Sequence, residues 1–68
     1  QMNITKTSQS SGNISSMEID VTEDQLRAWS IGGKMIQEAM PNISPDEREF
    51  IKTGITPAEW DELFFDMD

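Results

Sequence analysis

The spacing of apolar and polar residues divides the chain into a polar beginning, a long periodic middle and a sharply punctuated end. The end is the most explicit. Ser44-Pro45-Asp46-Glu47 and Thr56-Pro57-Ala58-Glu59 repeat one helix-start signal. In each, a hydroxyl residue suits the cap, proline suits the first helical position, and a glutamate stands three residues after the cap. Between them Gly54 suits the left-handed conformation that closes a helix. Ile55 and Trp60 have the spacing of a hydrophobic staple around the second cap. The pattern predicts helices over about 45–53 and 57–66. On the latter, Trp60, Leu63, Phe64 and Met67 share one stripe, with Glu59, Asp61, Glu62 and Asp66 around it.

The middle predicts one long helix over about 22–40. Thr22 and Gln25 form a capping box, Val21 and Leu26 can staple it, and Glu23 and Asp24 suit the positive end of the dipole. Glu23 also stands four residues before Arg27, the favourable order for a helical ion pair. Leu26, Trp29, Gly33, Ile36 and Met40 form one face, and Pro41 ends the helix. Gly32-Gly33 lowers helix propensity by roughly 1–2 kcal/mol relative to alanine, so it is not neutral filler. A kink, a close helix crossing and a break into two helices are the competing readings. A close crossing or a bend within one helix is favoured.

Before Thr22 the pattern weakens. Met17-Glu18-Ile19-Asp20-Val21 alternates with period two, a short strand signal without an obvious partner. It reads as an extended lead-in that packs on the helices, or as an edge that pairs with another chain. Residues 1–16 are rich in Ser, Thr, Asn and Gln, and the favoured reading is a flexible polar tail. The alternative is a hairpin in which Asn3-Ile4-Thr5 and Asn13-Ile14-Ser15 flank the turn-prone Ser10-Ser11-Gly12. The fold expected is therefore all-α: a small bundle of about three helices over 17–68, behind a flexible tail.

Composition narrows the function classes. At 68 residues the chain is one domain at most. No cysteine and no histidine are present, which removes disulfides, thiolate metal sites and imidazole chemistry. Thirteen acidic against five basic residues give a net charge of −8. Such a surface is repelled by phosphate backbones and anionic lipid, against direct nucleic-acid or membrane binding. No apolar run has the length of a signal peptide or membrane span, so an intracellular, cytoplasmic location is expected. Asn3, Asn13 and Asn42 begin N-x-[ST] sequons, read as chance in a chain without a secretion signal.

The carboxylates are the remaining chemistry. Asp46, Glu47 and Glu49 crowd one helix start, and Asp61 and Glu62 stand on another helix. A catalytic pair needs a cleft that perturbs two pKa values differently, and a domain this small has little volume for one. No EF-hand spacing and no glycine-rich phosphate loop occur. The expectation is no enzyme activity, no cofactor and no metal.

Bulky groups among acids at the C-terminal end are similar to acidic-hydrophobic segments that dock as short helices into grooves. Trp60, Leu63 and Phe64 are assigned to the core, because without them the chain has almost none. Phe65 and Met67, with Asp61, Glu62 and Asp66, are then the expected partner-binding group. Ile31 and Met35 form a second candidate patch opposite the Trp29 stripe.

Arg48-Glu49-Phe50-Ile51-Lys52-Thr53-Gly54-Ile55-Thr56-Pro57-Ala58-Glu59-Trp60-Asp61-Glu62-Leu63-Phe64 resembles the C-terminal part of small uncharacterised bacteriophage-encoded proteins, including those of small single-stranded-DNA phages. Met35-Ile36-Gln37-Glu38-Ala39-Met40-Pro41-Asn42 and the following cap are similar as well. The resemblance covers about residues 20–65 and transfers no functional residues. It implies a phage accessory protein that binds and modulates a host or phage protein. Two alternatives accompany it: an acidic DNA mimic that blocks a nucleic-acid-binding protein, and a virion structural or scaffolding protein that self-associates.

Overall fold

The computed structural model describes residues 1–65, and it overturns the all-α expectation at the N-terminus. Met2–Thr7 (β1) pairs antiparallel with Ile14–Ile19 (β2) in a two-stranded sheet. Residues 1–16 are thus not a flexible tail, and the strand signal at Met17-Glu18-Ile19 finds its partner within the chain. The register sets Met2 against Ile19, Ile4 against Met17 and Lys6 against Ser15. Period-two alternation then puts Met2, Ile4, Met17 and Ile19 on the face that packs on the core. Asn3, Glu18, Thr5 and Ser16 form the exposed face, where the Thr5 and Ser16 hydroxyls bond at 2.7 Å.

The serine-rich stretch is turn chemistry. The Ser8 N–H donates to the Asn13 carbonyl at 2.8 Å, and the Gly12 N–H returns to the Ser8 carbonyl at 3.0 Å. The buried Ser8 hydroxyl accepts from the N–H groups of Ser10 and Ser11, and Ser11 Oγ accepts from the Asn13 N–H. Short hydroxyl side chains replace ladder partners in this way when the backbone reverses. Composition that reads as disorder in one dimension is, here, a set of local acceptors.

Glu23–Ser30 (α1) starts from the capping box of Thr22 and Gln25. Its helix does not continue to residue 40. Gly33 at φ 78° turns the chain, and the Lys34 N–H reaches back to the Ala28 carbonyl at 3.0 Å. A Cβ on Gly32 would lie 2.7 Å from the Ala28 carbonyl oxygen, so the turn folds tightly over the helix end. The glycine pair is a break, correcting the expectation of one bent or closely crossed helix, and a short second helix, Ile36–Ala39 (α2), follows it.

Pro45–Thr53 (α3) carries the Ser44/Glu47 capping box and ends at Gly54, φ 76°. The turn before it is pinned from two sides. Arg48 donates to the carbonyls of Met40, Pro41 and Ile43, at 3.2, 3.4 and 2.9 Å. Asn42 Nδ2 donates to the Asp20 carbonyl at 2.6 Å, while its Oδ1 accepts from Gln25 Nε2 at 2.9 Å. Pro57–Phe65 (α4) completes the described chain.

The buried cluster joins Ile19 and Val21 from the hairpin side to Ile36, Ala39, Met40, Ile43, Phe50 and Ile51. Leu26, Ala28 and Trp29 pack against it from α1. Trp60, Leu63 and Phe64 are not members, which corrects their assignment to the core. The physical reason lies in the hairpin: its four inward apolar side chains supply the surface that the last helix was needed for. The strongest pairings between elements are β1 with β2, α1 with α2, and α3 with β1.

Candidate interaction surface

What holds α4 is concentrated at its first turn. Glu59 donates its N–H to Thr56 Oγ1 at 3.2 Å, and its Oε1 accepts from the Thr56 N–H at 3.4 Å, the two halves of a capping box. Its other oxygen, Oε2, accepts a hydrogen bond from the Ser11 hydroxyl. One carboxylate therefore caps α4 and clasps the hairpin tip. The Ser11 hydrogen bond is the main cause that holds the Glu59 carboxyl below the usual range; partial desolvation opposes it, and Thr56 and Ser8 add to the lowering.

A second tie lies beside the first. The Gln9 N–H donates to the Thr53 carbonyl at 3.0 Å, and the Thr7–Ser8 backbone lies directly over Gly54. A Cβ on Gly54 would overlap the Thr7 carbonyl oxygen and lie 2.8 Å from its carbon. The tip of the hairpin thus sits on the α3–α4 junction, backbone against backbone.

Beyond that junction α4 turns apolar groups outward. Leu63 is 45% exposed and Phe64 57%, with Asp61 and Glu62 exposed beside them. Trp60 and Phe64, one turn apart, stack with centroids 5.6 Å apart and planes 7° from parallel. Trp60 Nε1 is buried and has no hydrogen-bond partner among the described residues. The last turn of α4 carries no basic residue, so Glu62 faces the negative end of the dipole without a compensating charge.

The five cations are disposed unevenly. Arg27 lies 3.2 Å from Glu23 and 3.6 Å from Asp24, and the Arg48 guanidinium is taken up by the three carbonyls before α3. Lys6 lies half-buried on the inner side of the hairpin; Lys34 and Lys52 are exposed. None of the three lysines belongs to α4.

The expected partner-binding residues scatter. Asp61 and Glu62 stand exposed on α4, and Phe65 is its last residue, whereas Asp66 and Met67 lie outside the described residues. Ile31, 80% exposed, and Met35, 58% exposed, flank the Gly32-Gly33 break rather than a helix face. Leu63 and Phe64 are exposed apolar groups that their assignment to the core kept out of the expected surface, although their stripe with Trp60 is plain from spacing. Ile14, 72% exposed at the strand end, carried no separate signal. Among the described residues no cluster of three or more His, Cys, Asp or Glu could hold a metal ion, and no helix is long and apolar enough to cross a membrane. No protein-family model matches the sequence, and neither a curated protein nor a solved structure matches it significantly.

Proposed function

We propose that this protein is a non-enzymatic interaction module that binds another protein and modulates it. The carrying observation is the pair of bulky groups, Leu63 and Phe64, held outside the core on a helix whose other exposed residues include Asp61 and Glu62. Large apolar side chains grouped on one exposed face signal a surface that is covered in a complex. The phage resemblance adds a setting, an accessory protein acting in the host cytoplasm or on the virion. Net charge supports the DNA-mimic reading, and the exposed apolar groups favour protein docking over it.

Capture from a bacterial lysate at low and high salt, with cross-linking, tests the reading. One protein retained by the chain at high salt is expected, because an apolar contact is weakly screened. Capture of several nucleic-acid-binding proteins at low salt alone would replace it with the DNA mimic. Mass that rises with protein concentration, and no capture, would replace it with the structural role.

A further inference from the structure

Resting on the interaction reading, we propose that α4 is the docking helix and that its partner is a protein groove with an apolar floor and a rim of lysine and arginine. The helix combines two demands. Leu63 and Phe64 need an apolar floor, since both are about half exposed and neither belongs to the buried cluster. Asp61, Glu62 and the uncompensated C-terminal end of the helix need positive charge, which α4 does not contain. Of the chain's five cations, Arg27 and Arg48 are engaged at Glu23, Asp24 and the carbonyls before α3, and none of the five lies on α4. A second copy, itself carrying a net charge of −8, is repelled rather than attracted.

The anchoring of α4 fits this use. Its first turn is fixed to the hairpin tip through Ser11 and Glu59, while Leu63 and Phe64 lie one turn or more beyond that clasp. The root is therefore positioned by the body, and the apolar face points where another surface reaches it. Stacking on Trp60 limits the rotamers of Phe64, so less side-chain freedom is lost when the helix is covered. In this arrangement the apolar pair supplies hold, and the acids supply orientation and encounter rate.

The probe is a synthetic amphipathic helix of leucine and lysine, compared with its leucine–glutamate counterpart and with poly-lysine. Binding to the full chain is followed by backbone amide shifts and by titration at low and high salt. The leucine–lysine helix is expected to bind with shifts centred on α4, and the leucine–glutamate helix not to bind. The Leu63→Ser/Phe64→Ser variant, unchanged in charge, is expected to weaken binding roughly tenfold or more. Leu63→Ser alone, which leaves the Trp60–Phe64 stack intact, is expected to weaken it in the same direction.

Each other result overturns the proposal in a distinguishable way. Shifts centred on Ile31 and Met35 would move the docking surface while leaving the interaction reading intact. Equal binding of the leucine–glutamate helix would remove the basic rim. Poly-lysine binding as tight as the leucine–lysine helix, and insensitive to both variants, would make the surface a phosphate mimic. Self-association abolished by Leu63→Ser would make a second copy the occupant. If no peptide binds and the lysate yields no partner, both this proposal and the reading beneath it fall.

Discussion

Gly54→Ala isolates the contact on which the fold's departure from a helical bundle depends. Two penalties meet at this position. An L-residue at φ 76° occupies the left-handed region, which costs roughly 1–2 kcal/mol. Its Cβ would also overlap the Thr7 carbonyl, so the hairpin tip must lift. Lifting it breaks the Gln9–Thr53 backbone bond, worth about 0.5–1.5 kcal/mol, and strains the Ser11–Glu59 clasp. The expected loss is about 2–3 kcal/mol, or about 10–20 °C in Tm for a domain of this size. Gly33→Ala is the reference. Gly33 has nearly the same φ, 78°, but nothing lies within 4 Å of where its Cβ would stand. It carries the conformational penalty alone, and the reduced entropy of the unfolded chain enters both variants alike. Urea unfolding followed by circular dichroism gives both values, and amide shifts show whether Thr7–Ser11 move. Equal losses for the two variants, with no shift at the tip, would refute the docking of the hairpin on the α3–α4 junction.

Further expectations concern the core, the loop before α3 and acid. Phe50→Ala, at a fully buried site, should cost about 3–5 kcal/mol, whereas Phe64→Ala should stay within about 1 kcal/mol; the reverse order in denaturant titrations would return α4 to the core. Arg48→Lys keeps the charge but loses the planar fork that reaches three carbonyls, and should cost about 1–2 kcal/mol by thermal unfolding. The lowered Glu59 carboxyl makes a contribution that is complete above the unfolded group's titration and is lost as pH falls through the folded value. Carboxyl NMR titration should show its midpoint rise toward the ordinary range in Ser11→Ala, and Glu59→Gln should flatten the acid limb of the stability profile. An unmoved midpoint would exclude Ser11 as the main cause.

How legible these features were depended on the sequence distance over which each is encoded. The caps at Thr22, Ser44 and Thr56 and the closure at Gly54 are i to i+3 chemistry, complete within a few residues, and the structure contains each of them. The strand pairing is not local. Its inward positions include Lys6 and Ser15 among the apolar residues, so neither strand alone shows a clean alternation. The hydroxyls that make the turn also give the stretch the composition of a disordered tail. Gly32-Gly33 was visible as an anomaly, but glycine suits a kink, a crossing and a break alike, and the positive φ at Gly33 that makes it a break is not encoded in composition.

The expected docking residues depend on whether the hairpin is present. Once the hairpin is missing, Trp60, Leu63 and Phe64 must build the core, and the docking groups are pushed toward Phe65 and Met67. With the hairpin in place, Ile4, Met17 and Ile19 take that work and the last helix is released. The acids Asp61 and Glu62 remained legible because charge on an amphipathic helix identifies its solvent side whatever lies beneath it. The Ser11–Glu59 bond had no signal, since each residue already has a sufficient local explanation.

That bond also says something about the order in which the chain organises itself. Ser11 and Glu59 are separated by 48 positions, whereas the hairpin zips from Thr7 and Ile14 out to Met2 and Ile19 and each helix cap closes within one turn. Bringing such distant groups together carries a loop-closure entropy that short-range elements avoid, and the expectation is that the clasp forms after them. Disrupting it should accelerate unfolding while leaving the refolding rate nearly unchanged. The expected consequence of this serine and this glutamate is a longer lifetime of the assembled molecule, with little change in the speed at which it assembles.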